Sequence, residues 1–137
     1  MNILNWIKKI WYDRDTHSNK PNYGSKLDFN SCTVTFSPPQ NKDIQKGEFF
    51  IVTPKMEPKW ALFQCPCECG HVITLNLSPK KVPKWRIYLE KDGSPTLYPS
   101  IRQINGCLSH FWIKHGKVYW CADTGKPYIK NAYEYRE

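Results

Sequence analysis

Trp60-Ala61-Leu62-Phe63-Gln64-Cys65-Pro66-Cys67-Glu68-Cys69-Gly70-His71-Val72-Ile73-Thr74-Leu75-Asn76-Leu77 is the stretch on which the fold reading turns. Trp60–Phe63 and Val72–Leu77 are apolar runs of strand length, and Cys65, Cys67 and Cys69 crowd the loop between them. A pleated or turning backbone can aim two or three such thiols at one point, and few other causes place cysteines so densely. Gly70 permits the tight turn that a metal-binding loop requires. The stretch therefore predicts two strands joined by a thiolate loop that holds one structural zinc ion.

Working outward, Leu27–Phe36 and Phe49–Thr53 are further strand candidates, separated by a polar loop holding Pro38 and Pro39. Trp85–Leu89 sets Trp85, Ile87 and Leu89 on one face, a period of two that no helix produces. Asp92-Gly93 and His115-Gly116 each lie between extended apolar runs and read as hairpin turns, the second joining Phe111–Ile113 to Val118–Trp120. The 11 Pro and 7 Gly break the chain too often for long helices. The expected class is mainly β: a small, zinc-stabilised antiparallel β domain with a short N-terminal amphipathic helix.

That helix is read within residues 1–12, where Ile3, Leu4, Ile7, Ile10 and Trp11 fall at helical spacing opposite Asn5, Lys8 and Lys9. The organisation expected is a helix and polar linker over 1–26, a zinc-binding β domain over 27–125 and a charged tail over 126–137. At 137 residues the chain has the size of one domain, and its aromatic content of 15% argues against extensive disorder. Asn5, Lys8 and Lys9 interrupt the first apolar run, so it lacks the form of a signal peptide, and no run of about 18 apolar residues offers a membrane span. A cytoplasmic location is expected, where six cysteines are metal ligands or buried thiols rather than disulfides. The net charge of +8, with Lys80, Lys81, Lys84 and Arg86 clustered, suits an anionic partner without choosing among nucleic acid, membrane surface and acidic protein.

Zinc favours four thiolate or imidazole ligands, so the loop needs a fourth donor from elsewhere. Cys107 is the first choice, followed by Cys121, His71 and His110, with Cys32 last because it lies inside a strand pattern. A filled four-ligand site would be structural, since catalysis needs an open coordination position. An iron–sulfur cluster also uses thiolates, but the Cys-x-Cys-x-Cys spacing matches neither common ferredoxin pattern.

A second unusual constellation is formed by Leu97-Tyr98-Pro99-Ser100-Ile101 and Cys107-Leu108-Ser109-His110-Phe111-Trp112-Ile113. With Cys65–Gly70, Trp85, Gly116 and Trp120 these motifs form an ordered set, from about Trp60 to Cys121, that resembles a bacterial family catalogued as a domain of unknown function. The resemblance implies an association with operons encoding ubiquitin-like proteins together with E1-like and E2-like enzymes. It also implies a serine peptidase acting on the C-terminus of the ubiquitin-like protein. Glu68 stands where the family pattern has Gly, and Tyr98 where it has Ser.

Such a peptidase needs a hydroxyl nucleophile and a base to take its proton, within hydrogen-bond reach of each other. Ser100, in a turn after Pro99, and His110, at the start of a strand, are the candidates, with Ser109 the rival nucleophile. Asp92, Asp123 and Glu90 are possible orienting acids, and spacing does not rank them. Two other readings stay open: a non-enzymatic zinc module for a protein partner or nucleic acid, and a metallopeptidase with an open zinc position. His110 as a zinc ligand would remove the base and favour the first of these.

Overall fold

The computed structural model describes residues 28–128. The helix expected within 1–12, the linker to residue 26 and the tail from residue 129 lie outside the described residues. Among the described residues the elements are nine strands and one 3-10 turn, Asn41–Asp43: β1 (Cys32–Thr35), β2 (Phe49–Val52), β3 (Trp60–Gln64), β4 (Val72–Asn76), β5 (Arg86–Leu89), β6 (Pro95–Tyr98), β7 (Ile101–Arg102), β8 (His110–Lys114) and β9 (Lys117–Trp120). No helix there is long and apolar enough to cross a membrane.

The protein is mainly β as expected, but one pairing corrects the antiparallel expectation. β1 runs parallel to β2, in register Cys32 to Phe49 and Thr35 to Val52, while β2, β3 and β4 pair antiparallel. A parallel pair needs a crossover of roughly a dozen residues, and the polar segment 36–48 with its 3-10 turn supplies one. β1 is also shorter than the expected Leu27–Phe36, and Phe29, outside the strand, is buried in the core.

Burial explains why β2 and β3 lack a clean alternation. Phe49, Ile51, Ala61 and Phe63 face the main core, while Val52 and Leu62 close a smaller cluster with Ile44 on the other face. A sheet covered on both sides reads as a continuous apolar run. Phe29, Phe49 and Phe63 meet at ring centroids 5.0–5.7 Å apart, one pair stacked and two edge-on. Each such buried side chain contributes about 1.5–3 kcal/mol relative to exposure.

The remaining strands form a β5–β6 hairpin and a β7–β8–β9 sheet. They join where the Gly116 amide donates to the Pro95 carbonyl (2.8 Å) and the His115 amide to Thr96 Oγ1 (2.8 Å). Gly116 also accepts from the Phe29 amide at 2.9 Å. It sits at φ +72°, and a Cβ there would lie 2.1 Å from the Phe29 carbonyl oxygen, so only glycine closes this junction. Ile87, Leu97, Ile101, Phe111 and Ile113 are buried in the shared core. Because strand side chains alternate, burying Ile101, Phe111 and Ile113 turns Ser100, Arg102, His110 and Trp112 to the opposite, open face.

Candidate active site and thiol cluster

β7 and β8 pair with Ile101 opposite Phe111 and Arg102 opposite His110, which leaves Ser100 diagonal to His110 on the open face. Ser100 Oγ lies 2.9 Å from His110 Nε2. The Ser100 carbonyl accepts from Trp85 Nε1 at 3.2 Å, so the indole of the preceding hairpin holds the serine's backbone.

On the other side of the ring, His110 Nδ1 lies 2.6 Å from Asp123 Oδ1. Asp123 comes from the turn after β9, and that turn is clasped to the main chain of His110 and Leu108 by three hydrogen bonds. The Cys121 amide donates to the His110 carbonyl (2.9 Å), the His110 amide to Thr124 Oγ1 (2.9 Å) and the Gly125 amide to the Leu108 carbonyl (2.8 Å). Asp123 Oδ2 is ion-paired with Arg102. Hydrogen bonding from the Arg102 guanidinium, then from His110, draws the Asp123 carboxyl down to about 2.

An ionised carboxylate only accepts, so Nδ1 carries the proton and Nε2 is left to accept from the Ser100 hydroxyl. Arg102 also approaches Nδ1, at 2.9 Å, but guanidinium has no acceptor and Nδ1–H is committed to Asp123. The approach is a contact between the guanidinium and the edge of the ring. Side-chain exposure is 16% for His110 and 22% for Arg102, so the site is recessed yet open to solvent.

The other acids are engaged elsewhere. Asp92 Oδ1 accepts from the Ser94 amide (2.9 Å) and hydroxyl (2.6 Å) in the β5–β6 turn, while Glu90 accepts from Thr96 Oγ1 (2.7 Å) and faces His115. Ser109, the rival nucleophile, is buried with its Oγ donating to Cys107 Sγ at 3.1 Å. Arg102, Trp85 Nε1 and Thr124 were not anticipated as site residues. Alternation from Ile101 was the one available signal, and it places Arg102 on the face of Ser100.

Cys65, Cys67, Cys69 and Cys107 gather in a second cluster, with all four sulfurs within 4.8 Å of one another. Cys65 Sγ stands 3.3 Å from Cys67 Sγ and 3.8 Å from Cys107 Sγ. Tetrahedral zinc with bonds of about 2.3 Å sets sulfurs about 3.8 Å apart, so this donor set suits a structural zinc ion. The loop is closed by the Cys65 amide donating to the His71 carbonyl at 2.8 Å. Gly70 takes φ +82°, and Glu68 takes φ +70° while ion-paired to Lys46, so the family's glycine position is one that favours glycine.

Burial pushes the Cys65 thiol up to about 12. Burial also acts to raise Cys67, but hydrogen bonds from Cys69, Ser109 and Cys65 outweigh it and bring that thiol down to about 7. Cys121 and His110, considered above as fourth ligands, belong instead to the Asp123 cluster, where their donor atoms and those of Asp123 lie within 4.8 Å. The Arg102 charge beside that group opposes a cation. His71 supplies its carbonyl to the loop, and Cys32 begins β1.

A hydroxyl, an imidazole and a carboxylate bonded in that order form the arrangement of the serine hydrolases. A family model described as bacterial ubiquitination-like system serine protease (BubE) matches residues 33–121, more than half of the chain, and the chain belongs to that family. The match bears out the association with ubiquitin-like conjugation systems under this description rather than under a domain of unknown function. No curated protein and no solved structure matches the chain.

Proposed function

We propose that this protein is a zinc-stabilised serine peptidase that processes or releases a bacterial ubiquitin-like protein at its C-terminus, with Ser100 as nucleophile and His110 as general base. The observation that carries the reading is the hydrogen-bond chain from Ser100 Oγ through His110 to Asp123, at 2.9 and 2.6 Å. Ser100 Oγ attacks the scissile carbonyl while its proton passes to His110 Nε2. The imidazolium so formed is stabilised by Asp123 at Nδ1 and returns the proton to the departing amine. Water then repeats the sequence on the acyl-enzyme, with His110 again taking and returning the proton.

Cys65, Cys67, Cys69 and Cys107 would hold the zinc ion. Its four thiolates leave no open position, so it supplies a structural cross-link between the β3–β4 loop and the segment that leads into β8. The natural substrate is the ubiquitin-like protein of the same conjugation system, with its E1-like and E2-like enzymes as further partners, and the cytoplasm is the compartment for this chemistry. Replacing Ser100 with Ala should abolish cleavage of a ubiquitin-like precursor and labelling by a fluorophosphonate, with the melting temperature unchanged. Full cleavage by Ser100→Ala would remove Ser100 as nucleophile and with it the serine-peptidase reading. Salt-sensitive binding without turnover by the wild type would instead favour a non-enzymatic zinc module.

A further inference from the structure

Beside Ser100, one row of side chains crosses four strands on the open face. Arg86 on β5 is in register with Tyr98 on β6, the Tyr98 and Trp112 rings lie 5.9 Å apart, and Trp112 on β8 is in register with Tyr119 on β9. Tyr98 is 53% exposed and Tyr119 41%. Trp112 is two residues after His110 on β8, so by strand alternation it shares that face, and the Tyr98 ring packs against it.

Two cations flank the ring pair: the Arg86 guanidinium lies 5.8 Å from the Tyr98 ring centroid and Lys114 Nζ 4.8 Å from that of Trp112. Both residues are exposed, and neither belongs to an ion pair among the described residues, where Arg102, Lys46, His110 and His115 engage the paired carboxylates. Cations placed over rings keep outward N–H groups for an anionic ligand.

We infer that this row is the docking surface for an acidic segment of the substrate polypeptide, running beside the bond that Ser100 attacks. The inference rests on the peptidase reading and adds a substrate class to it. Tyr98 and Trp112 offer apolar contact next to the reacting hydroxyl, and Arg86 and Lys114 select carboxylates to either side. Two cations bracketing one ring pair suit a short peptide with local acidic residues. A nucleic-acid strand calls for a longer cationic track with successive stacking platforms.

The test uses full-length Ser100→Ala protein, which cannot turn over, and fluorescence anisotropy with two randomised decapeptide pools. The pools are identical except that Glu and Asp in one are replaced by Lys and Arg in the other. The acidic pool should bind at least about tenfold more tightly, lose affinity with added salt, and exchange rank with the basic pool when R86E and K114E are added. Equal binding of the pools, an unchanged rank in the R86E/K114E protein, or tighter binding of a random single-stranded oligonucleotide than of the acidic pool would overturn the inference. Fluorophosphonate labelling of Ser100 in the wild-type protein tests the peptidase reading on its own. Absent labelling would defeat that reading separately, since the anisotropy result needs no catalysis.

Discussion

The thiol cluster and the Ser100–His110–Asp123 chain share one segment, Cys107 to His110, and are assembled in opposite ways. Three of the four thiols come from one loop, and Cys65 is part of the main core. The three groups of the hydrogen-bonded chain come from three separate segments and meet on an open face, through the β7–β8 register and the clasped turn after β9. Between the two sites Leu108 adopts φ +55°, a conformation that costs a non-glycine residue roughly 1–2 kcal/mol. That turn lets Cys107 join the loop thiols while His110 faces Ser100. The contrast teaches that one site is part of what holds the domain together, whereas the other is mounted on a surface already built.

This contrast can be broken first at the metal. Chelation of the proposed zinc ion should remove binding free energy on the order of 10 kcal/mol and unfold the domain, and Cys65→Ser should remove part of it. Metal analysis and a circular dichroism melt would show this, with activity lost in parallel. A chelated protein that kept its melt and lost only activity would make the metal catalytic and end the division of roles.

The next largest effect is expected at Asp123. Asp123→Asn should lower kcat by about 10³–10⁴-fold through loss of the Nδ1–H acceptor and tautomer control, while zinc content and melting temperature stay at wild-type values. Retained activity would show that Ser100 and His110 work without an orienting acid.

Gly116 probes the scaffold beneath the chemistry. Gly116→Ala should destabilise the fold by about 2–4 kcal/mol, from the left-handed backbone and the overlap with Phe29, measured by urea denaturation. A loss below about 1 kcal/mol would mean that the junction of β1 with the β8–β9 hairpin yields easily.

Arg102 should give the smallest and most selective change. Its pairing, with that of His110, holds Asp123 down to about 2, so this interaction is fully present above about pH 4 and fades as pH falls through about 2. Arg102→Ala should move that loss to higher pH, as read by NMR titration of the Asp123 carboxyl, and lower kcat by about tenfold. Arg102→Lys should restore part of both. An unmoved titration would show that His110 alone holds the carboxylate.

Much of this was legible beforehand because it is local. Trp60–Phe63 and Val72–Leu77 announced their strands, and the hairpin at His115-Gly116 followed from turn chemistry. β6 was obscured by its first residue, Pro95, and β7 is two residues long, too short for any period to show. The parallel β1–β2 pair escaped because pairing direction depends on the path of the connection, not on the strand's own residues.

The cysteine spacing by itself determined that three thiols gather in one loop, since Cys65, Cys67 and Cys69 are too close in the chain to be far apart in space. The motifs around Ser100 and His110 likewise nominated a hydroxyl and a base. Tertiary structure alone decided that Cys107 meets the loop thiols, that Asp123 rather than Asp92 or Glu90 reaches His110, and that Arg102 braces it. The reason is one of range: backbone geometry constrains neighbours a few residues apart, whereas residues 100, 110 and 123 meet only through strand register and a clasped turn, which the whole core sets.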